Sequence, residues 1–203
     1  MLTNDLVASF FLNFSHNNFV ISLFFFAYFY LDKKLSLKTA LLLLSSILLN
    51  YILKNIFQIT LSPTLNKIGY AFPSGHMQST IVLYGFLWLN IKNVKIRILL
   101  PIIMLAIGIS LIYFKYHDLK DILGSAFFSS LILYGSIYLV NKGEKIFILS
   151  LFISSNLFIL IILIKYPMET WVWKSYFSSL GLFLVYIFSY FNEFVNLNKE
   201  RNL

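Results

Sequence analysis

Seven apolar runs follow one another along this chain, each closed by a lysine or a short polar break. They cover about residues 17–31, 35–57, 74–91, 98–114, 117–140, 146–164 and 175–194. Runs of roughly 18 or more apolar residues are long enough for a helix to cross the hydrocarbon core of a bilayer. Inside that core a chain must satisfy its backbone N–H and C=O groups internally, and the helix does so within one segment. Run 17–31 is barely long enough to cross. The shorter apolar stretch before it is followed by Ser15, His16, Asn17 and Asn18, and it predicts an interfacial helix over about 4–14 lying on the membrane. Charged residues make up 12% of the chain, against about 25% in a soluble domain. The expected fold is therefore all-α: a polytopic membrane helical bundle of about six to seven transmembrane helices, forming one domain over 1–203. The 22 phenylalanines and 13 tyrosines suit such a bundle and its interfacial belts.

Cysteine is absent, which excludes a disulfide framework, a thiolate nucleophile and a zinc–thiolate site. The net charge of +8 does not point to nucleic acid, because the basic residues are scattered singly between apolar runs instead of lining a groove. That scatter is what the positive-inside bias produces. On one side of the expected topology lie Lys33, Lys34, Lys38, Lys92, Lys95, Arg97, Lys142, Lys145, Lys199 and Arg201. On the other lie Lys54, Lys67, Lys115, Lys120, Lys165 and Lys174. The richer side is expected to be cytoplasmic, with the N-terminus outside. No basic leader with a small-residue cleavage site opens the chain, so the first apolar segment is expected to be retained.

Ionisable residues near or inside a span are costly and so are candidates for function. Here Lys54, Ser74, His76, Lys115, His117, Asp118, Lys120 and Asp121 all fall at the outer ends of spans two to five. The stretch 71–77 reads A-F-P-S-G-H-M. Pro73 presets φ for a first helical turn, Ser74 offers a hydroxyl, and Gly75 lets backbone N–H groups come close to an anion. His76 adds a group able to move a proton near neutral pH. Chance alone gives P-S-G-H in a chain this long on the order of one time in a thousand. His117 and Asp121 stand at i and i+4, on one face of a helix. A carboxylate there can hold one imidazole nitrogen and leave the other as a lone-pair nucleophile or base.

These residues resemble the type 2 phosphatidic acid phosphatases, the lipid phosphate phosphatase and haloperoxidase-related superfamily. Its middle motif is intact as Pro73-Ser74-Gly75-His76. Its third, Ser-Arg, five residues, His, three residues, Asp, survives as Ser110, His117 and Asp121. Its first, Lys, six residues, Arg-Pro, survives as Lys54 and, one residue late, Pro63. The resemblance covers about 54–121, and it implies a family-like core over about 35–140 with two extra C-terminal spans within 146–195. Two arginines that clamp phosphate oxygens in the family fall here on Leu111 and on Leu61 or Ser62. Lysine is a point charge and not a bidentate fork, so Lys115, Lys120 or Lys67 would replace them only in part.

The resemblance implies a membrane lipid phosphatase acting on a lipid phosphate or diphosphate, such as phosphatidate, phosphatidylglycerophosphate, an isoprenoid diphosphate or a lipid A-type substrate. His117 would be the nucleophile that forms a phosphohistidine, Asp121 its orienting carboxylate, and His76 the general acid and base. Lys54, Ser74, Gly75, Lys115 and Lys120 would bind the substrate phosphate. The implied setting is a bacterial inner membrane with the site on its outer face. No cofactor is implied, and Asp118 and Asp121, beside two lysines, are too few to cage a cation. Phosphate transfer to a second lipid, and binding of a lipid phosphate without turnover, are alternatives; the missing arginines motivate the second.

Overall fold

The computed structural model describes residues 2–61 and 69–201. Among them eight helices follow in order: α1 (Leu2–Asn13), α2 (Asn17–Tyr30), α3 (Lys33–Phe57), α4 (Gly75–Asn90), α5 (Val94–Tyr113), α6 (Leu119–Lys142), α7 (Glu144–Lys165) and α8 (Thr170–Arg201). The helix starts are written locally. Asp32 accepts from Leu35 N at 2.9 Å, Asn93 accepts from Lys95 N at 3.0 Å, and Ser74 accepts from Met77 N at 3.3 Å. Each side chain satisfies a backbone donor that the first turn leaves unpaired.

Five helices are long and apolar enough to cross a membrane: α3, α5, α6, α7 and Thr170–Tyr190 of α8. Residues Thr3–Asn13 and Asn17–Tyr30 qualify together, as a pair bent by 49°. The chain is an integral membrane protein built as a polytopic helical bundle. Run 74–91 gives α4, whose 16 residues measure only about 24 Å against a hydrocarbon core of about 30 Å. Its neighbours explain how so short a helix is accommodated. It packs against α3, α5 and α6, and Val82, Tyr84 and Phe86 are buried among them.

The segment expected to lie on the membrane surface, α1, packs along α5. Ala8 and Leu12 are buried, Tyr113 donates to Asp5 at 2.8 Å, and Tyr84 donates to the Phe14 carbonyl at 2.6 Å. The residues expected as a polar tail, 196–203, instead continue α8 as far as Arg201, and the last two lie outside the described residues. Nothing in N-L-N-K-E-R breaks a helix, and Lys, Glu and Arg are good helix formers.

Hydroxyls are a regular part of this interior. Ser36, Thr39 and Ser110 each donate to the carbonyl four residues back at 2.7 Å, so that small polar residues sit buried without a stranded donor. Ser45 and Ser154 lie 3.1 Å apart and tie α3 to α7. Small residues at such contacts let helix backbones approach closely where lipid removes the hydrophobic drive for association.

Candidate functional site

Four pieces of chain meet where α3 ends and where α4 and α6 begin. The first is the last turns of α3, which carry Asn50 and Lys54. The second is a short antiparallel pairing beyond α3: Leu61 N donates to Gly69 O at 3.1 Å and Ala71 N to Ile59 O at 2.7 Å. Its Tyr70 carbonyl accepts from Lys54 Nζ, which anchors that ammonium beside the start of α4.

The third piece is the Pro-Ser-Gly-His turn. Phe72 enters it seated between Phe57 and Phe128, with ring centroids 4.8 and 6.5 Å away. Gly124 of α6 lies directly beneath: a Cβ there would fall 2.1 Å from the Phe72 ring. Only glycine permits this approach. Gly124→Val is expected to unseat Phe72 and to cost about 1–3 kcal/mol through overpacking. A lower thermal unfolding midpoint of the purified protein checks it. Gly75 is approached less closely, its would-be Cβ lying 3.1 Å from Asn50 Oδ1 and 3.9 Å from Lys54 Cε.

The fourth piece is the α5–α6 turn. Tyr116 N and His117 N both reach Leu111 O, at 3.0 and 3.4 Å, and Lys115 takes a left-handed φ of 55° between them and the helix end. The turn brings His117 back over the first turn of α6. There His117 Nδ1 lies 3.1 Å from Asp121 Oδ2, and both side chains are only 8% exposed. The carboxylate also accepts from Asp118 N at 3.2 Å. This contact places the imidazole proton on Nδ1 and leaves Nε2 with its lone pair. Burial, the largest influence, holds the His117 pKa below its ordinary 6.5; the Asp121 hydrogen bond opposes this, and the Lys54 charge adds to it.

The turn of α4 and the first turns of α6 are bonded to each other through main chain. Ser74 N donates to Asp121 O at 3.3 Å, and the Ser125 hydroxyl sits 2.8 Å from Ser74 O and 2.7 Å from Asp121 O. Two helix N-termini thus start side by side, and each carries partial positive charge. His76 is exposed on the first turn of α4, two residues beyond the Ser74 contact.

Of the residues singled out from sequence, Lys54, Ser74, Gly75, His117 and Asp121 come together. Lys115 and Lys120 are exposed, and the lysine whose charge acts on His117 is Lys54. Ser62, Pro63 and Lys67 lie outside the described residues. Leu111, at one family arginine position, is 2% exposed and belongs to the buried apolar cluster that also holds Met77, Ile107 and Ile122. Ser110 spends its hydroxyl on Ala106 O. Among the described residues no group of three or more His, Asp or Glu gathers to hold a metal ion.

Sequence reasoning missed the support behind the turn. Asn50 Nδ2 lies 3.3 Å from Pro73 O and 2.9 Å from Gln78 Oε1, and Gln78 Nε2 donates to Ser46 O at 3.0 Å. This buried ladder fixes α4 to α3. The available signal was two amides inside apolar runs, each four residues from a motif residue. Asn50→Leu would leave Gln78 Oε1 without this donor, which costs about 1–3 kcal/mol for a buried polar group. Denaturation in detergent checks it.

A scan against protein-family models matches residues 35–145 to the PAP2 superfamily. No curated protein and no solved structure gives a significant match.

Proposed function

The chain belongs to the PAP2 superfamily, whose members are in general phosphatases acting on phosphate esters, and from that premise we propose that it is a lipid phosphatase working through a phosphohistidine. The observation that carries the reading is the buried His117–Asp121 pair at 3.1 Å, with the Lys54 charge acting on it and the Ser74 turn bonded to Asp121. Nε2 of His117 attacks phosphorus, the bond from phosphorus to the lipid oxygen breaks, and His76 gives that oxygen its proton. Water then attacks the phosphohistidine, His76 takes the water proton, and the P–N bond breaks to release phosphate and restore neutral His117. Asp121 stabilises the imidazolium between the two steps. Lys54, the Ser74 hydroxyl and the N–H groups at the start of α4 hold the phosphoryl oxygens.

The substrate reading is a lipid phosphate or diphosphate, since the site lies at the end of a bundle of apolar spans and a lipid tail stays beside them while the head reaches it. The lysine and arginine distribution supports a site on the outer face of the membrane. Phosphate release by the purified protein from a panel of lipid phosphates and isoprenoid diphosphates tests the proposal. His76→Ala is expected to slow release by roughly 10²–10⁴, the usual worth of a positioned general acid and base.

The pH profile is a separate check. Attack needs neutral His117, whose pKa lies below 6.5, so activity is retained at pH 6.5 and the His117-dependent acid limb falls below it. Removing the nearby cation in Lys54→Met moves that limb upward. An acid limb that stays in place in this variant would contradict the Lys54–His117 coupling.

Leucine packed where the family carries a phosphate-clamping arginine favours a second reading, binding of a lipid phosphate without turnover. Retained binding with no phosphate release, unaltered by His117→Ala, would establish it. Labelled phosphate appearing on a second lipid would instead identify a phosphotransferase.

A further inference from the structure

The opposite end of the bundle carries a second cleft, of about 370 Å³, between the start of α3, the α6–α7 turn and α8. Lys34, Lys142 and Lys145 line it together with Glu144, Tyr186 and Tyr190. Asp121 and Lys142 stand at the two ends of α6, about 30 Å apart at 1.5 Å per residue, so this cleft is separate from the His117 site.

Its chemistry is cationic. Three ammonium groups face one carboxylate, and Glu144 Oε2 already lies 4.0 Å from Lys38 Nζ. Two of the lysines are held over aromatic faces: Lys145 Nζ stands 4.4 Å from the Tyr190 ring centroid and Lys142 Nζ 5.3 Å from that of Tyr138. Tyr190 lines the cleft itself, so its cation–π contact holds the Lys145 ammonium there, and such a contact leaves N–H bonds available to an anion. The α6–α7 turn is made by Gly143 at φ 129°, in a region side-chain-bearing residues rarely adopt, and it brings Lys142 and Lys145 onto one short turn. Ile146 and the tyrosine rings give the cleft an apolar edge. Beside it α2 exposes Phe26, Phe29, Tyr30 and Leu31.

We propose that this cleft binds the phosphate headgroup of an anionic membrane lipid, its acyl chains running along the exposed apolar faces of the neighbouring helices. Basic pockets between spans, on a basic side of a membrane protein, have the charge and position for such headgroups. Lysines that merely snorkel to the interface would be interchangeable with any others at the same end. Lys92 in the α4–α5 link and Lys95 in the first turn of α5, at that end but outside the cleft, supply the comparison.

The test reconstitutes the full chain in phosphatidylcholine nanodiscs, titrates in phosphatidylglycerol, and reads retained lipid by native mass spectrometry after transfer to detergent. Phosphatidylglycerol is a phosphodiester and offers no monoester to the His117 site, so the outcome does not depend on the lipid phosphatase reading. K142Q/K145Q is expected to weaken retention on the order of 30-fold, at about 1 kcal/mol for each lysine. K92Q/K95Q and H117A are expected to retain the lipid as the parent protein does. Unchanged retention in K142Q/K145Q, or an equal loss in K92Q/K95Q, would overturn the cleft. Full displacement by millimolar inorganic phosphate would overturn the lipid as its ligand.

Discussion

Replacing His117 by alanine is expected to reduce phosphate release to the background of uncatalysed hydrolysis, a loss of at least about 10⁴-fold, because a covalent route without its nucleophile has no first step. The ring is buried beside Asp121 and lies in the link between α5 and α6, not within a helix. Alanine there keeps the His117 N–H bond to Leu111 O, so the turn is expected to hold. The comparison to make is phosphate release against an unaltered thermal midpoint. A trapped phosphoenzyme supplies the independent sign: brief mixing with ³²P-labelled lipid phosphate and an alkaline quench is expected to leave acid-labile label on the parent protein and none on the variant. Equal phosphate release from both proteins would end the nucleophile assignment. Label on the parent that never turns over would move the chain to the phosphate-binding reading.

Asp121→Asn carries the second large effect. In the proposed mechanism the carboxylate fixes the proton on Nδ1 of His117 and stabilises the positive charge that develops on the ring. An amide can present its NH₂ to Nδ1, which moves the proton to Nε2 and removes the attacking lone pair. In an analogous imidazole–carboxylate pair this change costs about 10⁴ in kcat. The same Oδ2 accepts from Asp118 N, so an NH₂ turned to Nδ1 also gives up that bond at the start of α6; the thermal midpoint is therefore read beside kcat, where the deficit is expected, with KM little altered. Measuring the two constants separately is decisive: a rise in KM at unchanged kcat would make Asp121 part of substrate binding. Restoration of activity by Asp121→Glu is not expected, since the longer side chain moves the carboxylate away from its 3.1 Å contact.

The buried leucine at position 111 bears on how far catalysis has been tuned. Position 111 lies in a buried apolar cluster that also holds Met77, Ile107 and Ile122, where a guanidinium would be costly without a charged partner. In the proposed mechanism the phosphate oxygens are held by Lys54, the Ser74 hydroxyl and main-chain donors at the start of α4. A point charge and partial charges stabilise the developing negative charge less selectively than a bidentate fork. In that mechanism the Lys54–Tyr70 contact, which no motif records, positions the ammonium that meets the phosphate.

Much of this was written in residue order. Long apolar runs with few charges admit only helices in a bilayer, so the bundle was legible before any packing was known. The i,i+4 spacing of His117 and Asp121 put them on one face, and Ser74 followed by Gly75 marked a helix start; the structure has both features. Each depends on contacts within a single turn. The same local reading is silent on what an element packs against. Residues 4–14 look like a surface helix in isolation, yet α1 packs against α5 through Ala8 and Leu12. Residues 196–201 look like a polar tail, yet they extend a helix already under way.

Sequence alone determined the helical membrane class, the Pro-Ser-Gly-His turn and the His117–Asp121 pair, because periodicity and short-range spacing act within one helix. Tertiary structure decided which polar groups stand behind that pair. Asn50, Tyr70, Ser74 and Gln78 come from separate segments, and their hydrogen-bond partners lie 16 to 51 residues away in the chain. No spacing rule reaches that far; only the close packing of α3, α4 and α6, permitted at Gly75 and Gly124 by the missing side chains, brings those groups within hydrogen-bonding distance.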